Sequence, residues 1–117
     1  MKDLLFYSQN QELIFQITEI SSDAFKGNTN ITSVSIPVSV KTIHSGAFSN
    51  CTNLSSVTIL AVNPPELKQE GKNNKDAPSN WFYGNDSNRQ FYVPDINAYI
   101  SESLWNYYYS SYINPIN

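Results

Sequence analysis

The sequence predicts an α/β solenoid of stacked coils, with short parallel strands on one side and irregular or 3-10 turns on the convex side. Two observations carry that prediction. Residues 17–37 align without a gap on residues 40–60 at a spacing of 23. Ile20 falls on Ile43, Ala24 on Ala47, Phe25 on Phe48, Asn28 on Cys51, Ile31 on Leu54, Val34 on Val57 and Ile36 on Ile59. The apolar positions match one another, while those between them vary among Ser, Thr, Asn, Lys, Glu and His. A fixed period of about 20–29 residues with an L-x-x-L-x-L core is the signature of a leucine-rich-repeat solenoid. Here the core reads Ile31-x-x-Val34-x-Ile36 and then Leu54-x-x-Val57-x-Ile59.

A strand has a period of two, so Val34 and Ile36 share one face and Ser33 and Ser35 the other. Val57 and Ile59 divide in the same way from Ser56 and Thr58. One coil cannot bury its apolar face alone, so equivalent coils must stack, each aliphatic side chain on its counterpart. About three to four such coils are expected, with a cap at each end.

Residues 1–16 read as an N-terminal cap and partial repeat. Leu13 lies 23 positions before Ile36 and Ile17 lies 23 before Val40, but Ser8 and Gln11 replace Ile31 and Val34. Residues 4–7 and 13–17 flank a polar run and would pair as a hairpin that shields the core. Left open, such an edge strand invites pairing with a second copy, hence a possible homo-oligomer. Residues 17–59 hold the two regular repeats, with Pro37 ending the first strand because it lacks a donor.

Residues 60–94 form a third repeat. Pro64-Pro65 interrupts regular structure, and the polar run after it is loop composition. With 11 additional residues between Pro65 and Asn80 the period resumes: Phe48 reaches Phe82, Cys51 reaches Asn85, Val57 reaches Phe91 and Ile59 reaches Val93. Trp81 and Asn88 then stand where Ala47 and Leu54 stood, which demands different packing. Residues 95–117 read as a helical C-terminal cap, with Asp95 able to accept a backbone N–H at the helix start. Leu104, Trp105, Tyr108, Tyr109, Tyr112 and Ile113 recur at helical spacing and supply the apolar face of a lid.

Composition narrows the function. With 117 residues, 40% hydrophobic, the chain makes one modest domain with a core. Its net charge is −3 and no Lys/Arg run is present, so phosphate-backbone binding to nucleic acid is not expected. No apolar run reaches the roughly 20 residues of a membrane span. The opening residues are too short an apolar stretch for a signal peptide, leaving either a cytosolic protein or one whose export signal has been removed.

Catalytic constellations are absent. Cys51 and His44 are the only thiol and imidazole. Cys51 occupies the slot of Asn28, which makes it a packing residue, and His44 sits at a varying position where exposure is expected. One His and one Cys make no metal site. Glu19 and Asp23 are expected on turns, and four glycines build no phosphate loop. An enzyme, a cofactor and a bound metal are therefore not expected. Four Asn-x-Ser/Thr matches, beginning at Asn30, Asn50, Asn53 and Asn85, carry no weight in a chain this rich in those residues.

The two repeats, with Asp23-Ala-Phe-Lys-Gly-Asn28 and Gly46-Ala-Phe-Ser-Asn-Cys51, resemble the BspA-type surface leucine-rich-repeat family. The ending is similar as well: Pro64-Pro65, Phe91-Tyr-Val-Pro-Asp95, Tyr99, Trp105 and Ile113-Asn-Pro115. The resemblance implies a secreted or cell-surface adhesin, usually bacterial, that binds host extracellular-matrix or other surface proteins. Asn28 departs from the family's usual Cys.

The strand pattern places Ser33, Ser35, Ser56, Thr58, Gln90 and Tyr92, with Glu12 in the partial coil, on the outward concave face, the candidate partner-binding surface. Two other readings stand beside it. One is a carbohydrate-binding module using Tyr83, Tyr92 and Tyr107; the other is a structural spacer within a larger surface protein.

Overall fold

The computed structural model describes residues 17–69 and 80–116. Two parallel sheets run along the stack. The first contains β1 (Glu19–Ile20), β3 (Thr42–His44) and β5 (Glu66–Lys68) in that order. The second contains β2 (Ser33–Ile36), β4 (Ser56–Ile59), β6 (Gln90–Val93) and β7 (Ile113–Pro115), again in chain order. Each coil thus crosses from one sheet to the other and back, as a leucine-rich-repeat solenoid must.

The register is the one the 23-residue spacing predicts. Val34 lies beside Val57 and Val57 beside Phe91; Ile36 lies beside Ile59 and Ile20 beside Ile43. Parallel neighbours repeat side-chain direction strand after strand, so an apolar residue at one height requires one at the next. Ile36, Ile59, Val57, Val93, Phe91, Leu54 and Ile43 are all completely buried.

Between the sheets the Ala-Phe segments turn through i→i+3 bonds, such as Ala24 N to Ser21 O and Ala47 N to His44 O. These are 3-10 spacings. Successive turns are laced together: Phe25 N donates to Ala47 O at 2.8 Å, and Phe48 N to Trp81 O at 2.8 Å. Positive φ recurs at the same place in each coil, at Gly27 (75°), Asn50 (58°) and Gly84 (76°). Gly, and less readily Asn, tolerates that left-handed conformation. A second such position holds Asp23 (59°) and Gly46 (73°), where a side chain on Gly46 would strike the Asp23 carboxylate.

Phe25, Phe48 and Phe82 form a column of parallel rings, with centroids 5.1 and 5.3 Å apart. Leu67 follows Ile43 by 24 positions and Phe82 follows Phe48 by 34. One of the 11 additional residues therefore precedes β5 and ten follow it. Trp81 fills the small-residue slot fully buried; its Nε1 donates to Lys68 O at 3.0 Å, and its ring meets Tyr108 edge-on.

The C-terminal cap begins with α1 (Ile96–Ile100), whose N-cap Asp95 accepts from Asn97 N and Ala98 N. Glu102 caps α2 (Ser103–Tyr109) through Leu104 N. Tyr99 and Trp105 are wholly buried; Tyr99 Oη donates to Ala61 O at 2.7 Å and Trp105 Nε1 to Pro65 O at 2.8 Å. The helical spacing carried the lid too far. Ser110–Tyr112 tightens to a 3-10 turn and Ile113, expected on the helix, opens β7 instead. Asn114 beside Tyr92 makes that strand the fourth rung of the sheet. The hairpin expected within residues 1–17 lies, but for Ile17, outside the described residues, as does the polar stretch 70–79.

Removing the central ring of the column should cost about 3–5 kcal/mol, the usual range for deleting a buried Phe. Phe48→Ala should lower the urea midpoint accordingly, and an unchanged midpoint would contradict the stacking account. Burial also pushes the hydroxyls of Tyr99 and Tyr109 well above the ordinary tyrosine value of 10.0. The unfolded chain releases those protons first, so stability is intact below about pH 10 and falls as pH rises beyond it. Tyr99→Phe should flatten part of that alkaline decline when unfolding midpoints at about pH 8 and pH 11 are compared. A decline equal to the parent's would contradict the assignment.

Candidate functional site

The four-stranded sheet presents its outer side in rows fixed by register. Ser33, Ser56 and Gln90 form one row; Ser35, Thr58, Tyr92 and Asn114 form the next. The same pairing continues past the strand ends, since Leu60 N donates to Ile36 O and Ile116 N to Val93 O, both at 3.0 Å. It aligns Pro37, Leu60, Pro94 and Ile116 as a third row. Leu60 and Ile116 are 43% and 41% exposed, which makes this row apolar and open to solvent.

Six of the expected contact residues therefore do come together. Ser33 and Ser35 are exposed, and Ser56, Thr58, Gln90 and Tyr92 are half-buried beside them. Glu12 lies outside the described residues. The alternation that selects Ser33 and Ser35 also selects Pro37, and 23 residues on selects Leu60, so half of the apolar row is carried by the spacing. Asn114 and Ile116 carried no such signal, because the Tyr-rich run before them reads as helix.

Asn114 fixes part of this surface. Its Nδ2 donates to Gln90 Oε1 at 2.9 Å and to Phe91 O and Tyr112 O at 3.1 Å. Gln90 Nε2 in turn reaches Asn88 O at 3.4 Å. An amide held on both sides loses less rotamer freedom when a partner arrives. None of the residues in the three rows is charged. Glu19, Glu66 and Lys68 belong to the other sheet, and Asp23 and Lys26 to its turns.

Other chemistry falls away from this surface. The Cys51 thiol is fully buried and donates to Phe25 O at 3.1 Å, in the slot where Asn85 Nδ2 donates to Phe48 O at 2.8 Å one coil later. Burial raises the Cys51 pKa, so the thiol is kept from its reactive form. His44 is not exposed as its varying position implied. It lies half-buried in β3 with Nε2 2.6 Å from Glu19 Oε1, and Glu19 stands in β1 rather than on a turn. Among the described residues no group of three or more His, Cys, Asp or Glu could hold a metal ion, and no helix is long and apolar enough to cross a membrane.

Tyr83, Tyr92 and Tyr107 stand on a turn, a strand and a helix, and among the described residues no ring contact joins any two of them. Both tryptophans are spent in the core. The structure assembles no aromatic platform from this trio.

A model of the BspA type leucine-rich-repeat region, in six copies, matches residues 5–114. No curated protein matches the chain.

Cys51 in the folded chain should react with a thiol reagent such as DTNB many-fold more slowly than after denaturation. Equal rates in the two states would show that the slot is open.

Proposed function

The chain belongs to the BspA-type leucine-rich-repeat family, a non-enzymatic protein-interaction module, and from that premise we propose that it acts outside the cell or on its surface. There it adheres to extracellular-matrix or other surface proteins through the outer face of the four-stranded sheet. The observation that carries this reading is the aligned set of uncharged rows: hydroxyls and amides in two, Pro37, Leu60, Pro94 and Ile116 in the third. Hydrogen-bonding rows beside an apolar row suit a neutral polypeptide surface, with no charge to desolvate among the described residues of the three rows.

Magnitude decides how such a face works. Four strands spaced about 4.8 Å apart, with rows about 6.7 Å apart, span roughly 14 by 13 Å. A standard interface buries about 800 Å² on each partner, several times this patch. A single copy therefore binds weakly, and firm adhesion comes from many copies engaging at once.

The test uses matrix protein immobilised on a sensor, intact or stripped of its glycans. Binding that survives glycan removal is expected, and binding lost with the glycans would point to sugar recognition. Ser35→Lys with Thr58→Lys should weaken the interaction at least about tenfold, by placing two solvated cations where a neutral partner must dock. Both positions face outward, so the melting temperature should remain near the parent's. Unchanged binding by this variant would remove the sheet face from the proposal.

A further inference from the structure

The third row of the outer face is not uniform along the stack. Pro37, Leu60, Pro94 and Ile116 follow one another, so a proline alternates with a branched aliphatic side chain. Leu60 and Ile116 carry the larger side chains, two rungs apart, with Pro94 exposed between them. Beside this row stand the hydroxyl-bearing side chains of Ser35, Thr58 and Tyr92. Tyr92 precedes Pro94 by two residues, so its ring lies on the same face beside that gap. Asp95, the carboxylate next along the chain, is turned away, its Oδ1 accepting from Asn97 N and Ala98 N at the start of α1.

Resting on the adhesive reading of this face, we propose that its partner contributes an uncharged, proline-rich segment in the polyproline II conformation. The segment lies across the strands, along the stack. Spacing favours that occupant. Two rungs measure about 9.6 Å, and one turn of polyproline II, three residues, measures about 9.3 Å. Residues i and i+3 of such a helix therefore come over Pro37 and Pro94 in step, with Leu60 between them and Ile116 beyond. A β-strand repeats on one side at about 6.7 Å and an α-helix at about 5.4 Å, and neither divides that spacing.

Chemistry and size agree with it. Proline has no N–H, so a proline-rich segment presents apolar rings and carbonyl acceptors with few backbone donors. An apolar row flanked by hydroxyls that can donate is its complement, and neither side brings a charge that must be desolvated. A second copy of this chain is a poor fit, because the patch falls well short of the roughly 800 Å² per partner that a stable association buries. A segment of about four or five residues covers its length, roughly 14 Å at about 3.1 Å per residue. Polyproline II is already ordered before it binds, so little conformational entropy is lost on so small a contact.

The test is fluorescence anisotropy with a labelled nonaproline peptide, and with a glycine–serine peptide of the same length. The protein should bind nonaproline saturably and should not bind the glycine–serine peptide. Leu60→Ser with Ile116→Ser should weaken nonaproline binding at least about tenfold, with the melting temperature near the parent's because both side chains are exposed. No binding of nonaproline, equal binding of the two peptides, or binding unchanged in that variant would overturn the polyproline assignment. Competition separates it from the broader role of the face. Matrix-protein binding that is lost in Ser35→Lys with Thr58→Lys, yet untouched by excess nonaproline, would overturn the polyproline partner and leave the adhesive face standing. Nonaproline binding without matrix-protein binding would support the polyproline partner and remove matrix adhesion.

Discussion

The column of Phe25, Phe48 and Phe82 is the constraint to which the other features answer. Near-parallel rings about 5 Å apart match the spacing of hydrogen-bonded strands, so the column and the two ladders enforce the same rise per coil. A residue inserted between a strand and its Phe would break one ladder unless it were looped out. That is why the third coil absorbs its additional residues beside β5 and returns Phe82 to the column. Additional length between rungs costs little, since closure entropy grows only slowly with chain length, whereas length within a rung would break its register.

The column must also end. After Phe82 the packing switches from stacked to edge-on: Phe91 meets Phe82 at 85° and Trp105 meets Phe91 at 89°. The rings that meet Phe82 next, Phe91 and Tyr109, stand edge-on to it, in place of a fourth stacked Phe. Arg89 locks this corner, with its guanidinium 4.8–5.9 Å from the ring centres of Phe82, Phe91, Tyr109 and Tyr112. It donates to Phe82 O and Asn85 Oδ1, while its buried Nε makes no hydrogen bond among the described residues. Burial pulls its pKa down, with Tyr109 and Tyr112 opposing that pull; an Arg nonetheless stays charged. The cation is held by ring quadrupoles. Asn88, exposed where Leu54 is buried, leaves the core at this coil, and the rings around Arg89 close the corner. The Pro64-Pro65 break belongs to the same device. Carbonyls in this segment, at Ala61 and Pro65, accept from Tyr99 and Trp105, the buried polar groups of the cap.

Most of the stack was legible because its signals are periodic. A 23-residue repeat of Ile, Ala-Phe and Val-x-Ile states which residues touch, and the strand pairs observed follow it residue for residue. The second sheet was less visible: β1, β3 and β5 are two or three residues each, too short for alternation to register. β7 was hidden for a different reason. Tyr108, Tyr109 and Tyr112 satisfy helical spacing, yet Asn114 is drawn out of that helix by two hydrogen bonds to the sheet edge, at Gln90 and Phe91. Only tertiary contact supplies those partners. His44 was misplaced because variation between coils was equated with exposure, whereas its partner Glu19 lies on the adjacent strand. The left-handed positions at Gly27, Asn50 and Gly84 were readable in principle, since only residues that tolerate positive φ fill them.

The distribution of charge follows from the same geometry and bears on how the surface works. Net charge keeps a protein soluble wherever it is placed on the surface, so a solenoid can hold its charges on one side and leave the other free for contact. Here Glu19, Glu66 and Lys68 stand on the shorter-stranded sheet and Asp23 and Lys26 on the turns joined to it. The outer rows of the longer-stranded sheet remain neutral. Each added coil widens that face by only about 4.8 Å, so a short stack cannot reach a large area by itself. Rows of small hydroxyls lose little side-chain entropy on contact, and they present the same chemistry at every rung. On the adhesive role proposed above, a partner would engage one copy loosely while neighbouring copies engage the next stretch, the condition under which weak sites acting together outperform a single strong one.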